Sequence, residues 1–510
     1  MLGGLKKTSS RIAIAAALGF VLGGYAMSTP AEAADLGGDC CADLEERVAE
    51  LEATTVRKGN KKVSVTISGW VVKAVNWWDD DVGGDFWVGD KDADLTSRFA
   101  ITGSATIAPG WSGGYNITVT APGNFIDSAN QTGGNAFGIA SNQFGQDSGL
   151  LSGINTLYSY MYIKSDKYGT INWGYLSPAS DNPAVLADIS GTVIESNAVG
   201  FELSSFALAP NGSPGTGFAS YSGLAVGSFT NCNSGVGPIG VDCFGAPQSG
   251  VRYDTPTWGG FRAEVGYSNY LDNLLTRKGA VLNSPAGLGV YNTTPEAFDL
   301  AVFYNGEFGN FKTSAAYSYT NINAAVGSAN PNGTNQIHQA GATLMHVPSG
   351  LGLYGMYQSD AVSGNYVNAV TGATQGTPDS DAWYLKPFIK RAWNPLGSTV
   401  LYGEYAQYQN QFGGLAGANL CGAGPLGGTA PVCASAATAG GMFVDGSEVQ
   451  RWGLGAVQEI DSAAMHVFAR WQHMDTDADF TGLNAAGNLS NVNQGFNDFD
   501  LFQVGGIIFF

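Results

Sequence analysis

Charged residues are scarce. Asp, Glu, Lys and Arg make up 13% of the 510 residues, about half the share usual in a soluble globular domain. That scarcity argues against an ordinary cytosolic enzyme. Positive charge is scarcer still: 23 Lys and Arg face 42 Asp and Glu, a formal charge of −19, and such a chain repels a polyphosphate duplex. Nucleic acid is thereby excluded as a partner. Beyond the first 30 residues no apolar run approaches the roughly 20 residues that a spanning helix needs, which excludes a helical membrane protein. Cysteine (6) and histidine (4) are few, and no tight C-x-x-C spacing with nearby histidines occurs, so neither a metal centre nor a cofactor is expected. What is plentiful is glycine, 73 residues, and aromatic side chains, 12%. A long, acidic chain of this kind fits an extracellular β-sandwich array or a closed membrane barrel.

The first residues read as an export signal. Lys6, Lys7 and Arg11 precede an apolar stretch from Ile12 to about Gly24, and Ala31-Glu32-Ala33 has the small-x-small form of a cleavage site, so residues 1–33 are expected to be removed. Residues 34–60 form a periplasmic segment in which Leu44, Val48 and Leu51 share one stripe flanked by glutamates. Over 42–58 this predicts a short amphipathic or coiled-coil helix, too short to stand alone. In an oxidising compartment Cys232 with Cys243, and Cys421 with Cys433, are each close enough in sequence to close a small loop, which makes both pairs candidate disulfides.

From Lys61 the hydrophobic period changes to two. Val63, Val65, Ile67 and Val71 alternate with Ser64, Thr66 and Ser68. The alternation predicts sixteen strands, near 61–78, 94–108, 114–122, 155–165, 168–176, 249–255, 260–269, 297–305, 309–320, 336–347, 351–359, 382–393, 398–409, 448–460, 463–474 and 498–510. Seven connectors are tight and eight are long, in alternation. Short turns at one end and long loops at the other are the mark of an outer-membrane barrel, whereas a sandwich array has comparable loops at both ends.

Charge follows the same parity. Arg98, Arg252, Arg262, Lys312, Lys386, Lys390, Glu404, Arg451 and Arg470 alternate with apolar neighbours such as Phe99, Val251 and Phe261. A charge facing lipid near the midplane costs about 2–4 kcal/mol, so these side chains are expected to face water inside a pore. The final strand carries Phe502, Val504, Ile508 and Phe510 on one face, with Phe510 as an aromatic girdle residue.

The stretch from Cys41 through Ala-Asp-Leu-Glu-Glu-Arg-Val-Ala-Glu-Leu-Glu to Lys58-Gly-Asn, followed by Lys62-Val-Ser-Val-Thr-Ile-Ser-Gly-Trp70, resembles the start of mature alphaproteobacterial porins. So do Arg252-Tyr-Asp-Thr-Pro-Thr-Trp-Gly-Gly-Phe261 and the terminal Phe510. The resemblance covers essentially the whole mature chain. It implies an all-β, 16-stranded antiparallel transmembrane barrel over 61–510, a homotrimer in the Gram-negative outer membrane among lipid and lipopolysaccharide. It further implies a water-filled channel for ions and small hydrophilic solutes, narrowed by an inward-folded third loop whose acidic residues face basic wall residues. Carried onto this chain, that loop is 177–248, its acidic residues are Asp181, Asp188 and Glu195, and the facing basic candidates are Arg98, Arg252 and Lys73. Lys73 shares parity with the apolar Val71 and Val75, a departure from the family's wall cluster. The acidic balance of the chain points to a mild cation preference.

Other motifs compete weakly. Gly110-Trp-Ser-Gly-Gly114 matches the G-x-S-x-G nucleophile elbow but lies in a predicted hairpin turn with no helix after it, so no enzyme is expected. Asp475-Thr-Asp-Ala-Asp479 opens like a calcium loop, yet Phe480 stands where glycine is required, which favours a solvated acidic loop. Two alternatives to a general porin remain: an envelope protein that tethers the outer membrane to the cell wall through the 42–58 helix, and a substrate-specific channel with an aromatic track along its neck.

Overall fold

This computed structural model describes residues 63–91, 96–121, 131, 155–197, 206–211, 224–230, 232, 243, 245, 247–269, 296–323, 334–363, 365–367, 374–376, 378–411, 442–483 and 489–510. The expected export signal, the helix at 42–58 and the pair Cys421/Cys433 lie outside them. In chain order the elements are β1 (Ser64–Asp79), β2 (Gly84–Gly89), β3 (Arg98–Ala108), β4 (Trp111–Thr120), β5 (Asn155–Ser165), β6 (Gly169–Leu176), α1 (Pro183–Leu186), α2 (Gly227–Thr230), β7 (Gln248–Asp254) and β8 (Phe261–Asn269). They continue with β9 (Glu296–Phe308), β10 (Phe311–Asn323), β11 (Thr334–His346), β12 (Leu351–Ser363), β13 (Asn365–Val367), β14 (Thr374–Gly376), β15 (Ser380–Asn394), β16 (Gly397–Gln409), β17 (Met442–Ile460), β18 (Met465–Leu483), β19 (Leu489–Gly495) and β20 (Phe499–Phe509).

Sixteen of these strands form one closed antiparallel wall. β1 pairs with β20 from Trp70 opposite Phe509 to Asp79 opposite Asp500, which closes the circle and leaves no free edge. β2 and β19 are short additions beside the upper parts of β1 and β18, and β13 with β14 make a separate hairpin in a loop. No described helix is long and apolar enough to cross a membrane.

The wall follows from the period-two pattern. Outward positions carry Val71, Ile117, Met161, Ile171, Val251, Leu353, Leu385, Leu401 and Leu454, all substantially exposed although apolar. Only a lipid solvent makes that face favourable. At the short-turn end the outward ring is aromatic, with Trp111, Tyr168, Trp258, Phe308, Phe311 and Trp393 exposed, the belt expected at a membrane interface. Gly110 (φ 75°) forms the tight β3–β4 turn, so the G-x-S-x-G stretch is a hairpin connection followed by a strand.

β17 and β18 differ most from expectation in length. Each runs 19 residues, well past the roughly 9–11 needed to span a bilayer. Asp475, Asp477 and Asp479 therefore sit on one strand, on the outward parity, and not in the loop that their polarity predicts. Above the membrane an outward face has no need to be apolar, so the hydrophobic pattern stops before the hydrogen-bonded ladder does.

Candidate functional site

The third long loop leaves β6 at Ser177 and folds into the barrel. Asn182 adopts the left-handed region (φ 56°), and Pro183 follows as a first helical residue whose φ is preset and which has no N–H to satisfy. The short α1 then lies against the inner faces of β9 to β12. Gly341 on β11 leaves the space for it: a Cβ there would sit 2.2 Å from the Ala184 carbonyl oxygen. Wall hydroxyls satisfy the loop's carbonyls, with Tyr354 donating to Ala184 (2.8 Å) and Thr343 to Ala187 (2.7 Å). The Ser180 N–H in turn donates to the buried Asp299 carboxylate at 2.7 Å. Farther on, Phe206 packs among Trp78, Trp87 and Phe499, so the returning chain meets the opposite wall through aromatic contacts.

Between α1 and Phe206 the loop rests on a buried charge cluster. Lys386 is fully buried; its Nζ lies 2.6 Å from Asp188 and donates to Thr192 Oγ1 (2.9 Å) and to the Ser196 carbonyl (2.7 Å). Glu404 accepts from Ser196 Oγ (2.5 Å), from the Tyr384 hydroxyl (2.6 Å) and from Gln472 Nε2 (2.6 Å). Arg451 donates to the Asn197 carbonyl at 2.7 Å, Arg470 donates to Gln503 Oε1, and Glu195 meets His466 Nδ1 at 2.6 Å. Charges removed from water are tolerated only when paired and hydrogen-bonded in this way.

The residues expected from sequence thus fall into two groups. Asp188, Glu195, Lys386 and Arg451, each at most 6% exposed, lie between loop and wall, and not on the water-facing surface where a constriction was expected to need them, while Arg470 is buried against Gln503 on β20. The first four act as anchors, because the loop folded across β15–β18 covers those inward positions of the wall. Lys390 pairs with Glu459 at 2.5 Å nearer the short-turn end. The second group borders open space on the other side of the loop. There Trp70, Arg98, Asn116, Thr118, Tyr158, Tyr160, Ser177 and Arg252 line a cavity of about 540 Å³ bounded by β1, β3–β7 and the loop's first residues. Arg98 stacks over the Trp70 ring at 4.6 Å. Arg252 is held by Asp254 (2.8 Å) and by the Ser177 carbonyl (2.8 Å). Arg262 pairs with Glu264 and lies over Phe303 at 4.3 Å, away from that cavity. Asp181 stays local to the loop, accepting from Ser177 Oγ and from Asn182 Nδ2 (2.6 Å). Lys73 is on the outward parity and pairs with Asp90, apart from the wall cluster to which the resemblance assigned it.

Cys232 and Cys243 are joined by a disulfide in the same loop, and Gln358 Nε2 on β12 lies 2.6 Å from Cys243 Sγ. The cavity's aromatic and amide lining was not among the residues singled out from sequence. Strand parity could have found it, since Trp70, Asn116, Thr118, Tyr158 and Tyr160 all share the inward register with Arg98 and Arg252.

A closed barrel with an apolar belt outside and a charged, loop-narrowed interior defines a class of protein: an outer-membrane channel crossed by passive diffusion. The chain belongs to the Gram-negative porin family, whose model matches residues 15–496. Among solved structures it is similar to the anion-selective porin from Comamonas acidovorans, at 16% identity and a TM-score of 0.50 over 88% of this chain and 100% of that one. OprB of Pseudomonas putida matches at 10% identity and a TM-score of 0.48, over 92% of this chain and 97% of that one. OmpF of Salmonella typhi matches at 12% identity and a TM-score of 0.41, over 89% and 99%. No curated protein matches the chain in a sequence comparison.

Proposed function

We propose that the neck of this porin selects by charge as well as by size, and that its selectivity is for anions. The observation that carries the reading is the asymmetry of the neck. The cavity beside the loop is bordered by Arg98 and by Arg252, the latter offset by Asp254 (2.8 Å) and Glu264 (3.6 Å), with no Asp or Glu among its described lining residues, while Asp188 and Glu195 are engaged with Lys386 and His466 beneath the loop. A solute meets the local field of the narrowest part, not the −19 of the whole chain, much of which lies in long external loops. The proposed preference is opposite to the cation preference that composition suggests. Small hydrophilic solutes and ions pass without tight binding, because a conducting site must release what it admits.

The protein so read is an alphaproteobacterial-type porin that acts as a homotrimer, with residues 1–33 removed on export and the barrel surrounded by lipid and lipopolysaccharide. Lys73 supports the trimer: a half-exposed lysine on the outward parity of β1, its partner Asp90 buried, is costly against hydrocarbon and is accommodated better in a protein contact. Single-channel recording of the purified protein in a planar bilayer tests the whole reading. Ohmic steps in groups of three that scale with bulk salt are expected, with a reversal potential of anionic sign across a salt gradient. A cationic reversal potential would overturn the assignment of the neck, and single steps from a monomer would overturn the trimer.

A further inference from the structure

We propose that the 540 Å³ cavity beside the third loop is a solute subsite for small organic monocarboxylates that carry an apolar body. This deepens the anion-selective reading and rests on it. The volume falls within the roughly 300–1,000 Å³ of small-molecule sites, far more than a chloride ion requires. One side presents cationic donors. Arg98 lies over the Trp70 ring, 4.6 Å from its centroid, and is tied through Nε to the Thr96 carbonyl at 3.4 Å, and a guanidinium held by such contacts matches a carboxylate better than a lysine would. Arg252, fixed by Asp254, by Glu264 at 3.6 Å and by the Ser177 carbonyl, has its charge offset by two carboxylates and shapes the loop's entry, so Arg98 is the cation offered to a solute. The other side is apolar or weakly polar. Phe509 on β20 offers apolar surface, and the Tyr160 hydroxyl belongs to a belt in which Asn116 donates to it at 3.4 Å and accepts from Thr118 at 2.7 Å.

Such a lining gives an inorganic anion nothing beyond charge and a neutral sugar no ionic partner, but it satisfies both halves of an aryl or short alkyl carboxylate. Occupancy must remain weak, since the site lies on a diffusion path, and it would act by raising the local concentration of such solutes at the neck.

Benzoate is the probe. Added to the purified channel conducting potassium chloride in a planar bilayer, it is expected to reduce the chloride current saturably in the millimolar range, whereas benzamide and glucose at the same concentration do not. Arg98→Gln is expected to raise the half-saturating benzoate concentration at least tenfold, and Trp70→Leu severalfold. Arg391→Gln, the same charge change at an exposed site near the short-turn end, should leave it unchanged. Heat-modifiable mobility on gels shows that each variant is a folded barrel. If benzoate carries current linearly with no saturation, or if the Arg98 variant responds as the parent does, the subsite is wrong while the porin stands. If the parent conducts only cations, the anion-selective neck fails and the subsite fails with it.

Discussion

Lys386 shows how a single side chain can hold a loop. Its ammonium is fully buried and has three loop partners, among them the Asp188 carboxylate. Replacing it by methionine preserves shape but strands Asp188 without its cation, and breaking a buried pair from one side costs about 3–5 kcal/mol. The expected outcome for Lys386→Met is a matching loss in unfolding free energy, read by urea titration of the reconstituted barrel. The third loop should also loosen, seen as excess open-channel noise. The double variant Lys386→Met with Asp188→Leu should recover most of that stability, because an apolar pair of similar volume removes the stranded charge. If the single variant is as stable as the parent, the pair is not an anchor.

Elements are held in place by space as much as by bonds. α1 reaches the inner wall only because Gly341 has no side chain, and the residues that would have to retreat, Pro183, Ala184 and Val185, are themselves buried. Gly341→Val is expected to push α1 toward the lumen axis at an overpacking cost of about 1–3 kcal/mol. Single-channel conductance should change at least twofold while the circular dichroism of the barrel is retained; an unchanged conductance would show that α1 does not shape the neck. The Cys232–Cys243 disulfide closes a ring with a sequence separation of 11, for which loop entropy predicts about 3 kcal/mol. Cys232→Ser with Cys243→Ser should lower the urea midpoint accordingly and leave the strand content intact.

For the whole molecule the governing quantity is the solvent on each face. Leu454 is 63% exposed on the outward parity of β17, near the middle of its membrane-crossing part. Leu454→Lys is expected to cost about 2–4 kcal/mol in bilayer folding equilibria, against less than about 1 kcal/mol for a lysine introduced at the exposed, outward Asp477, high on β18. Equal costs at both sites would contradict the placement of the apolar belt. The lengths of β17 and β18 argue the same point from the other direction. Their upper turns stand clear of lipid, which is why three aspartates occupy the outward register there at no cost to insertion.

What the chain alone determined was the wall. Alternation with a period of two, interrupted by short and long connectors in turn, is a local property of the backbone, and it placed all sixteen barrel strands, erring at several strand ends and missing the short β2, β13, β14 and β19 within expected loops. Inward and outward faces of Arg98, Arg252, Lys386, Arg451 and Arg470 followed from the same parity. Only the tertiary structure decided which of those inward charges meet water. That depends on where residues 177–197 lie against β9 to β18, a set of contacts between segments as much as 271 residues apart, as for Glu195 with His466. No local period encodes such contacts. The loop covers Lys386 and Arg451 and leaves Arg98 and Arg252 bordering a cavity, so a ring of equivalent-looking cations in the sequence becomes a buried contact on one side and cavity lining on the other. The physical reason is that burial, unlike parity, is set by what packs on top.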